Sequence, residues 1–148
     1  MGVQPDFREL LASLNVHAAE FVVVGAYALA FHGVVRNTGD LDIYVRPDAD
    51  NARRIMAALE DFGFGSVGLS EEDFIHAGRV VQLGYPPIRI DLITSLSGVT
   101  WEQVWAEREP GRYGDVAVDF IGRGQFIANK RASGRLKDLA DIEALGEK

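Results

Sequence analysis

The chain has 148 residues, 47% of them apolar, and a formal net charge of -7. That size and apolar fraction predict one folded domain over residues 1–148 and exclude a disordered, collagenous or disulfide-stapled chain. Cysteine is absent, which removes thiolate metal sites and cysteine nucleophiles, and the acidic balance argues against holding nucleic acid by general phosphate attraction.

The N-terminal Met-Gly-Val-Gln-Pro-Asp lacks a basic region followed by an apolar run, and no apolar stretch approaches the roughly 20 residues that span a bilayer. A cytoplasmic protein with no membrane partner is expected. Asp6 and Glu9 have capping-box spacing, and Phe7, Leu10, Leu11 and Leu14 recur at i, i+3, i+4 and i+7, which predicts an opening amphipathic helix. Phe21-Val22-Val23-Val24 reads as a strand buried on both faces, ending at Gly25. Ala26 to His32 then reads as a short helix closed by Gly33.

A second strand is predicted at Leu41 to Val45, followed by a helix capped by Asp48, carrying Ala52, Ile55, Met56 and Leu59 on one face and ended by Gly63. Val80 to Leu83 and Ile88 to Ile93 read as two strands joined by a turn at Gly84-Tyr85-Pro86-Pro87. Thr100 with Gln103 is a capping-box pattern opening a helix from Trp101 to Arg108. The alternating Val116, Val118 and Phe120 predict one more strand before a Gly122-Arg123-Gly124 break. Two helices follow, about Gln125 to Ala132 and Arg135 to Leu145. Mixed strands and helices imply an α/β or α+β fold with a mixed β-sheet flanked by helices, its core about 20–121 and its helical C-terminus about 123–146.

In a strand, residues i and i+2 share a face, so Asp40 and Asp42 project together while Leu41 faces the core. At about 5 Å and an effective dielectric near 20, two such charges repel by roughly 3 kcal/mol, a cost that a cation or a raised pKa offsets. Oxygen ligands suit Mg²⁺ or Mn²⁺. Taken alone, the tripeptide is equally a turn aspartate followed by an edge carboxylate. In Ile88-Arg89-Ile90-Asp91-Leu92-Ile93 the alternation sets Asp91 opposite the isoleucines, making it a plausible third carboxylate, or else an ordinary surface strand residue like Asp119. Gly25-Ala26, between a buried strand and a helix, is small enough to let backbone N–H groups approach an anion. Lys130, Arg131, Arg135 and Lys137 form a basic segment suited to a compact polyanion such as a triphosphate, or to a solvated helix face.

Three segments together resemble the DNA polymerase beta-like nucleotidyltransferase superfamily: Val23-Val24-Gly25-Ala26-Tyr27-Ala28, Arg36-Asn37-Thr38-Gly39-Asp40-Leu41-Asp42-Ile43 and Ile90-Asp91-Leu92. With Lys130 and the run Arg135-Leu136-Lys137-Asp138-Leu139-Ala140-Asp141, the pattern is most similar to small bacterial nucleotidyltransferases related to the abortive-infection toxin family. The resemblance implies a nucleotidyltransferase fold and transfer of a nucleoside monophosphate from a nucleoside triphosphate to a hydroxyl of an RNA, protein or small-molecule acceptor. A toxin role opposed by an antitoxin protein is a subcase. Asp40, Asp42 and Asp91 would be catalytic and hold Mg²⁺ or Mn²⁺, and Gly25, Ala26, Arg36, Thr38, Lys130 and Lys137 would bind the nucleotide. Arg36 has a structural alternative in pairing with a carboxylate, Thr38 in capping, and Asp138 and Asp141 in pairing with Arg135 or Lys137. Ala26 departs from the usual second glycine or serine, which keeps open a catalytically inactive nucleotide-binding or partner-binding module of the same fold.

Overall fold

A computed structural model describes residues 2–63, 68–85 and 88–146. The first helix, α1 (Pro5–Val16), buries Phe7, Leu10, Leu11 and Leu14 completely. It does not start with a capping box. Pro5, with its fixed φ and missing N–H, occupies the first turn, where that N–H would be unpaired anyway. The preceding residue, Gln4, makes no side-chain cap, and its N–H donates to the Tyr113 hydroxyl at 2.7 Å.

β1 (Phe21–Val24) is buried along its whole length and runs into α2 (Gly25–Phe31). β2 (Asp40–Val45) leads to α3 (Ala49–Phe62). The Asp48 carboxylate caps α3 by accepting from the Asn51 N–H, and Gly63, at φ +102°, closes it in the left-handed region where a side chain is disfavoured. α4 (Glu72–Ile75) is one turn, too short for any periodicity to reveal, and its Phe74 is fully buried.

β3 (Val80–Tyr85) and β4 (Ile88–Ile93) pair antiparallel as expected, while Pro86 and Pro87 of the expected turn lie outside the described residues. α5 (Trp101–Ala106) carries the expected Thr100–Gln103 capping box. It ends at Ala106, short of the expected Arg108, and β5 (Glu109–Tyr113) follows, pairing antiparallel with β6 (Val116–Phe120). β5 contains Pro110 and Gly111 and lies at the sheet edge, the place where a missing ladder donor is tolerated. A Cβ on Gly111 would run into the rings of Phe31 and Phe120, which stack at 4.3 Å.

α6 (Arg123–Ser133) starts two residues before the expected Gln125, with Gly122 as its N-cap held close against the Glu107 carbonyl. α7 (Leu136–Ala144) follows. The six strands form one mixed sheet in the order β3-β4-β2-β1-β6-β5. β2 pairs parallel to β4 and antiparallel to β1, and β1 pairs parallel to β6. A single buried cluster joins the sheet to α1, α2, α3 and α6.

One polar side chain inside this core ties three segments together. Asn51 is 1% exposed. Its Oδ1 accepts from the Glu20 N–H at 2.7 Å, and its Nδ2 donates to the Glu20 and Arg46 carbonyls, each at 3.0 Å. These bonds fix the start of β1 and the end of β2 to the first turn of α3. Asn51→Ala leaves three backbone groups without that partner and is expected to destabilise the fold by about 2–4 kcal/mol. A urea denaturation midpoint unchanged from wild type would contradict this.

Candidate active site

The parallel register of β2 and β4 is what assembles the acidic residues. Asp40 lies opposite Arg89, and Asp42 lies opposite Asp91. Side chains in register on adjacent parallel strands share a face, so the two Asp–x–Asp and Arg–x–Asp patterns form a four-group square. Leu41 and Ile90, between them, turn to the core and are 0% and 4% exposed.

Gly25 sits directly against this square. At φ +67° it occupies a conformation that side chains avoid, and a Cβ there would overlap Asp42 Oδ2. The glycine is therefore required twice: by the sharp passage from β1 to α2, and by the approach of the Asp42 carboxylate. Val24 pairs with Asp42 across the antiparallel β1–β2 ladder, which sets this approach.

A cleft of about 350 Å³ opens over the square. Its wall includes Gly25, Ala26, Arg36, Thr38, Asp40, Asp42, Lys130 and Lys137, so eight of the nine residues singled out in the sequence come together. The ninth, Asp91, is 7% exposed and lies beneath the wall beside Asp42. Asp119 is two strands away on β6, paired with Arg108 at 3.1 Å, and takes no part. A larger depression of about 410 Å³ at the C-terminal ends of β2 and β4, lined by Tyr44, Trp101 and Thr94 among others, holds none of the nine.

The cleft wall facing the carboxylates is cationic but mostly self-paired. Lys130 Nζ lies 3.2 Å from Asp138 Oδ1 and 3.9 Å from Asp141 Oδ2. Arg135 holds the other oxygen of Asp138 at 2.8 Å, and Arg36 faces Asp141 at 3.6 Å. Asp138 is fully buried. Burial alone would raise its pKa, but hydrogen bonds from Arg135 and Lys130 outweigh that and hold it below the usual carboxylate range. Asp138 thus pairs with Arg135 as expected and with Lys130, whereas Asp141 pairs with Arg36 and Lys130 and not with Lys137. Among the described residues Lys137 has no carboxylate within salt-bridge distance. Thr38 serves the backbone, its Oγ1 accepting from the Asp40 N–H at 3.0 Å and fixing the entry to β2.

On the acidic side the charges are not balanced. Burial, reinforced by the neighbouring Asp91 and Asp40 carboxylates, pushes the Asp42 pKa up to about 6, with Lys130 opposing. Asp91 Oδ1 is buried without a hydrogen bond. A buried orphaned carboxylate oxygen beside a second carboxyl group is a donor set that fits a hard divalent cation. Among the described residues, no group of three or more His, Asp or Glu side chains is arranged to hold a metal ion by itself. Arg89 stands among these carboxylates: its Nη2 lies 3.2 Å from both Asp40 Oδ2 and Asp91 Oδ2. Arg89 is not among the residues that the sequence pattern singles out. The same alternation that selected Asp91 places Arg89, two residues earlier, on the same face.

An acid whose pKa is raised on folding contributes stability that is complete below its unfolded pKa and is lost as pH climbs through the folded value. For Asp42 that window runs from about pH 4 to above pH 6, and the loss is about 2–3 kcal/mol. Asp42→Asn removes the charge at nearly constant shape. In EDTA it is expected to melt higher than wild type at pH 7.5, with the gap closing by pH 4. A gap independent of pH sinks this assignment of the charge strain.

No family model matches the sequence, and no curated protein matches it. Among solved structures, the chain is similar to a Thermotoga maritima protein described as a "putative nucleotidyltransferase". The TM-score is 0.60 at 14% identity, over 97% of this chain and 92% of that one. Agreement over nearly the whole of both chains at so low an identity is agreement of architecture, and this mixed six-stranded sheet with its flanking helices is a nucleotidyltransferase fold.

Proposed function

We propose that the protein is a metal-dependent nucleotidyltransferase that moves a nucleoside monophosphate from a nucleoside triphosphate to a hydroxyl. The observation that carries this reading is the Asp42–Asp91 pair in register, with Asp40 on the rim of the cleft and Gly25 pressed against it. Mg²⁺ or Mn²⁺ would be held by Asp40 and Asp42, with Asp91 completing the set. Mg²⁺ commonly takes only one or two carboxylates and fills its shell from water and substrate phosphates, so a complete protein cage is not required. The bound cation would supply charge neutralisation at the reacting phosphate and lower the pKa of an oxygen it contacts.

The chain's own residues divide the remaining work. Gly25 and the Ala26 backbone lie where a phosphate can approach the start of α2. Lys137, without a carboxylate partner among the described residues, would offset charge growing on departing pyrophosphate. Lys130 contributes from a fixed position set by Asp138, and Arg36 and Thr38 line the same wall. On this reading Asp91, buried beside Asp42, would complete the site and help deprotonate the acceptor hydroxyl. The acceptor is an RNA, a protein or a small molecule, and a toxin function restrained by an antitoxin falls within this reading.

Incubation with α-labelled nucleoside triphosphates, Mg²⁺ and cell extract is expected to label an acceptor and release pyrophosphate. Asp40→Ala combined with Asp42→Ala should lower the rate by on the order of a hundredfold or more. EDTA should abolish the reaction. Equal labelling by the double variant rejects the assignment. Lys137→Ala should raise the nucleotide KM by about tenfold, as loss of one charge-assisted contact predicts.

A second reading draws on Arg89 and Ala26. Arg89 is paired with two of the three carboxylates, and Ala26 offers no hydroxyl to a phosphate. These fit a nucleotide-binding or partner-binding module that performs no transfer. Nucleotide binding by calorimetry with no pyrophosphate released across acceptor pools selects this reading over the first.

A further inference from the structure

Arg89 stands on β4 with its guanidinium inside the acidic square, and its side chain is 28% exposed. Nη2 donates to Asp40 Oδ2 and Asp91 Oδ2, both at 3.2 Å, and so bridges the two strands. Nε lies 3.0 Å from Asp91 Oδ1, yet the angle yields no hydrogen bond, and both atoms are buried and unsatisfied.

An arginine kept for stability alone is expected to form the parallel two-bond fork that guanidinium and carboxylate geometry allows. Here attraction is retained while half of the fork is left unmade, which makes the contact exchangeable. The charge count points the same way. Among the described residues Arg89 is the cation ion-paired with this acidic group, and it reaches Asp40 and Asp91 but forms no ion pair with Asp42, which Lys130 opposes only at longer range. Two of the oxygens it engages belong to residues that the proposed function assigns to a divalent cation.

We infer that Arg89 is a resident counter-cation that competes with the divalent metal for Asp40 and Asp91, so that metal enters the site together with nucleotide phosphates rather than before them. The inference rests on the proposed function for the identity of the incoming ligand. A polyphosphate supplies both the missing metal ligands and an anionic partner toward which the displaced guanidinium can turn. The flexible three-carbon stem and the partial exposure of Arg89 give it room to do so. Free metal offers no such second partner. Arg89 is a positioning residue in this scheme, acting on the reaction through the occupancy of the carboxylates.

Mn²⁺ binding to the full chain, followed at pH 8 by the electron paramagnetic resonance signal of free Mn²⁺, tests the inference without relying on turnover. Wild type should bind Mn²⁺ weakly alone and at least tenfold more tightly with a non-hydrolysable nucleoside triphosphate. Arg89→Gln should bind Mn²⁺ alone at least tenfold more tightly than wild type. Arg89→Lys, which keeps the charge, should stay near wild type, and adding Asp42→Asn to Arg89→Gln should erase the gain. If the Gln variant fails to fold by circular dichroism, Arg89→Met carries the same comparison. A folded Gln or Met variant whose affinity is equal to or below wild type overturns the inference, as does a gain that survives Asp42→Asn. Failure of the proposed function reads differently: the Arg89→Gln gain is present, but the nucleotide analogue brings no Mn²⁺ to the wild type.

Discussion

The parallel pairing of β2 with β4, in the one register that sets Asp42 beside Asp91, is the constraint on which the rest of the site depends. Shifting β4 by one residue would send Asp91 and Arg89 into the core and bring Ile90 to the cleft. The apolar side of both strands prevents this: Leu41, Ile43, Ile90 and Leu92 are all nearly or fully buried. The core therefore enforces an arrangement that the carboxylates, left to themselves, would oppose. Roughly 3 kcal/mol of like-charge repulsion at about 5 Å is small beside the burial of four branched aliphatic side chains at about 1.5–3 kcal/mol each.

The neighbouring elements read as responses to that arrangement. Gly25 lets α2 begin against the Asp42 carboxylate, and Thr38 fixes the backbone just ahead of Asp40. Asn51 holds the far end of β2 to α3 and the start of β1, so β2 is anchored beyond both ends of the acidic pair. A loosely held strand would relieve the repulsion by moving. This one is fastened at both ends, and the charge strain appears instead as the raised pKa of Asp42.

Which parts of this were legible in the sequence follows from the range of the signals. Asp40 and Asp42 were visible because strand alternation is local, and Gly25 because a glycine after a buried β-branched run marks a turn. The capping box at Thr100 and the caps Asp48 and Gly63 are likewise contained in a few residues. Pairing of β2 with β4 joins segments separated by two helices and a strand, and no local pattern encodes it. β5 was hidden because Pro110 and Gly111 argue against a strand unless its edge position is already known. Asn51 was hidden because a polar residue in the first turn of a helix usually faces water. Arg89 was missed for a different reason: its alternation was readable, but a cation among carboxylates has meaning only once three carboxylates are known to be present.

The two walls of the cleft have opposite electrostatic states, and this bears on what the cleft is built to receive. Lys130, Arg135 and Arg36 are ion-paired with Asp138 and Asp141, with Asp138 buried and bonded to two of them, so the cationic wall is held in place by its own contacts. The acidic wall is under-neutralised, with a single arginine shared between two of its three carboxylates. An anionic ligand finds residual positive charge at the first wall, with Lys137 the member not ion-paired among the described residues, and a bare cation meets Arg89 at the second. On the proposed function, the species that would satisfy both is a polyanion carrying a divalent cation, with Lys137 and the start of α2 on the phosphate side and Asp40 and Asp42 as the residues that would hold the metal. On the proposed reading, this mismatch makes the metal–nucleotide complex, rather than either component, the ligand that the cleft favours.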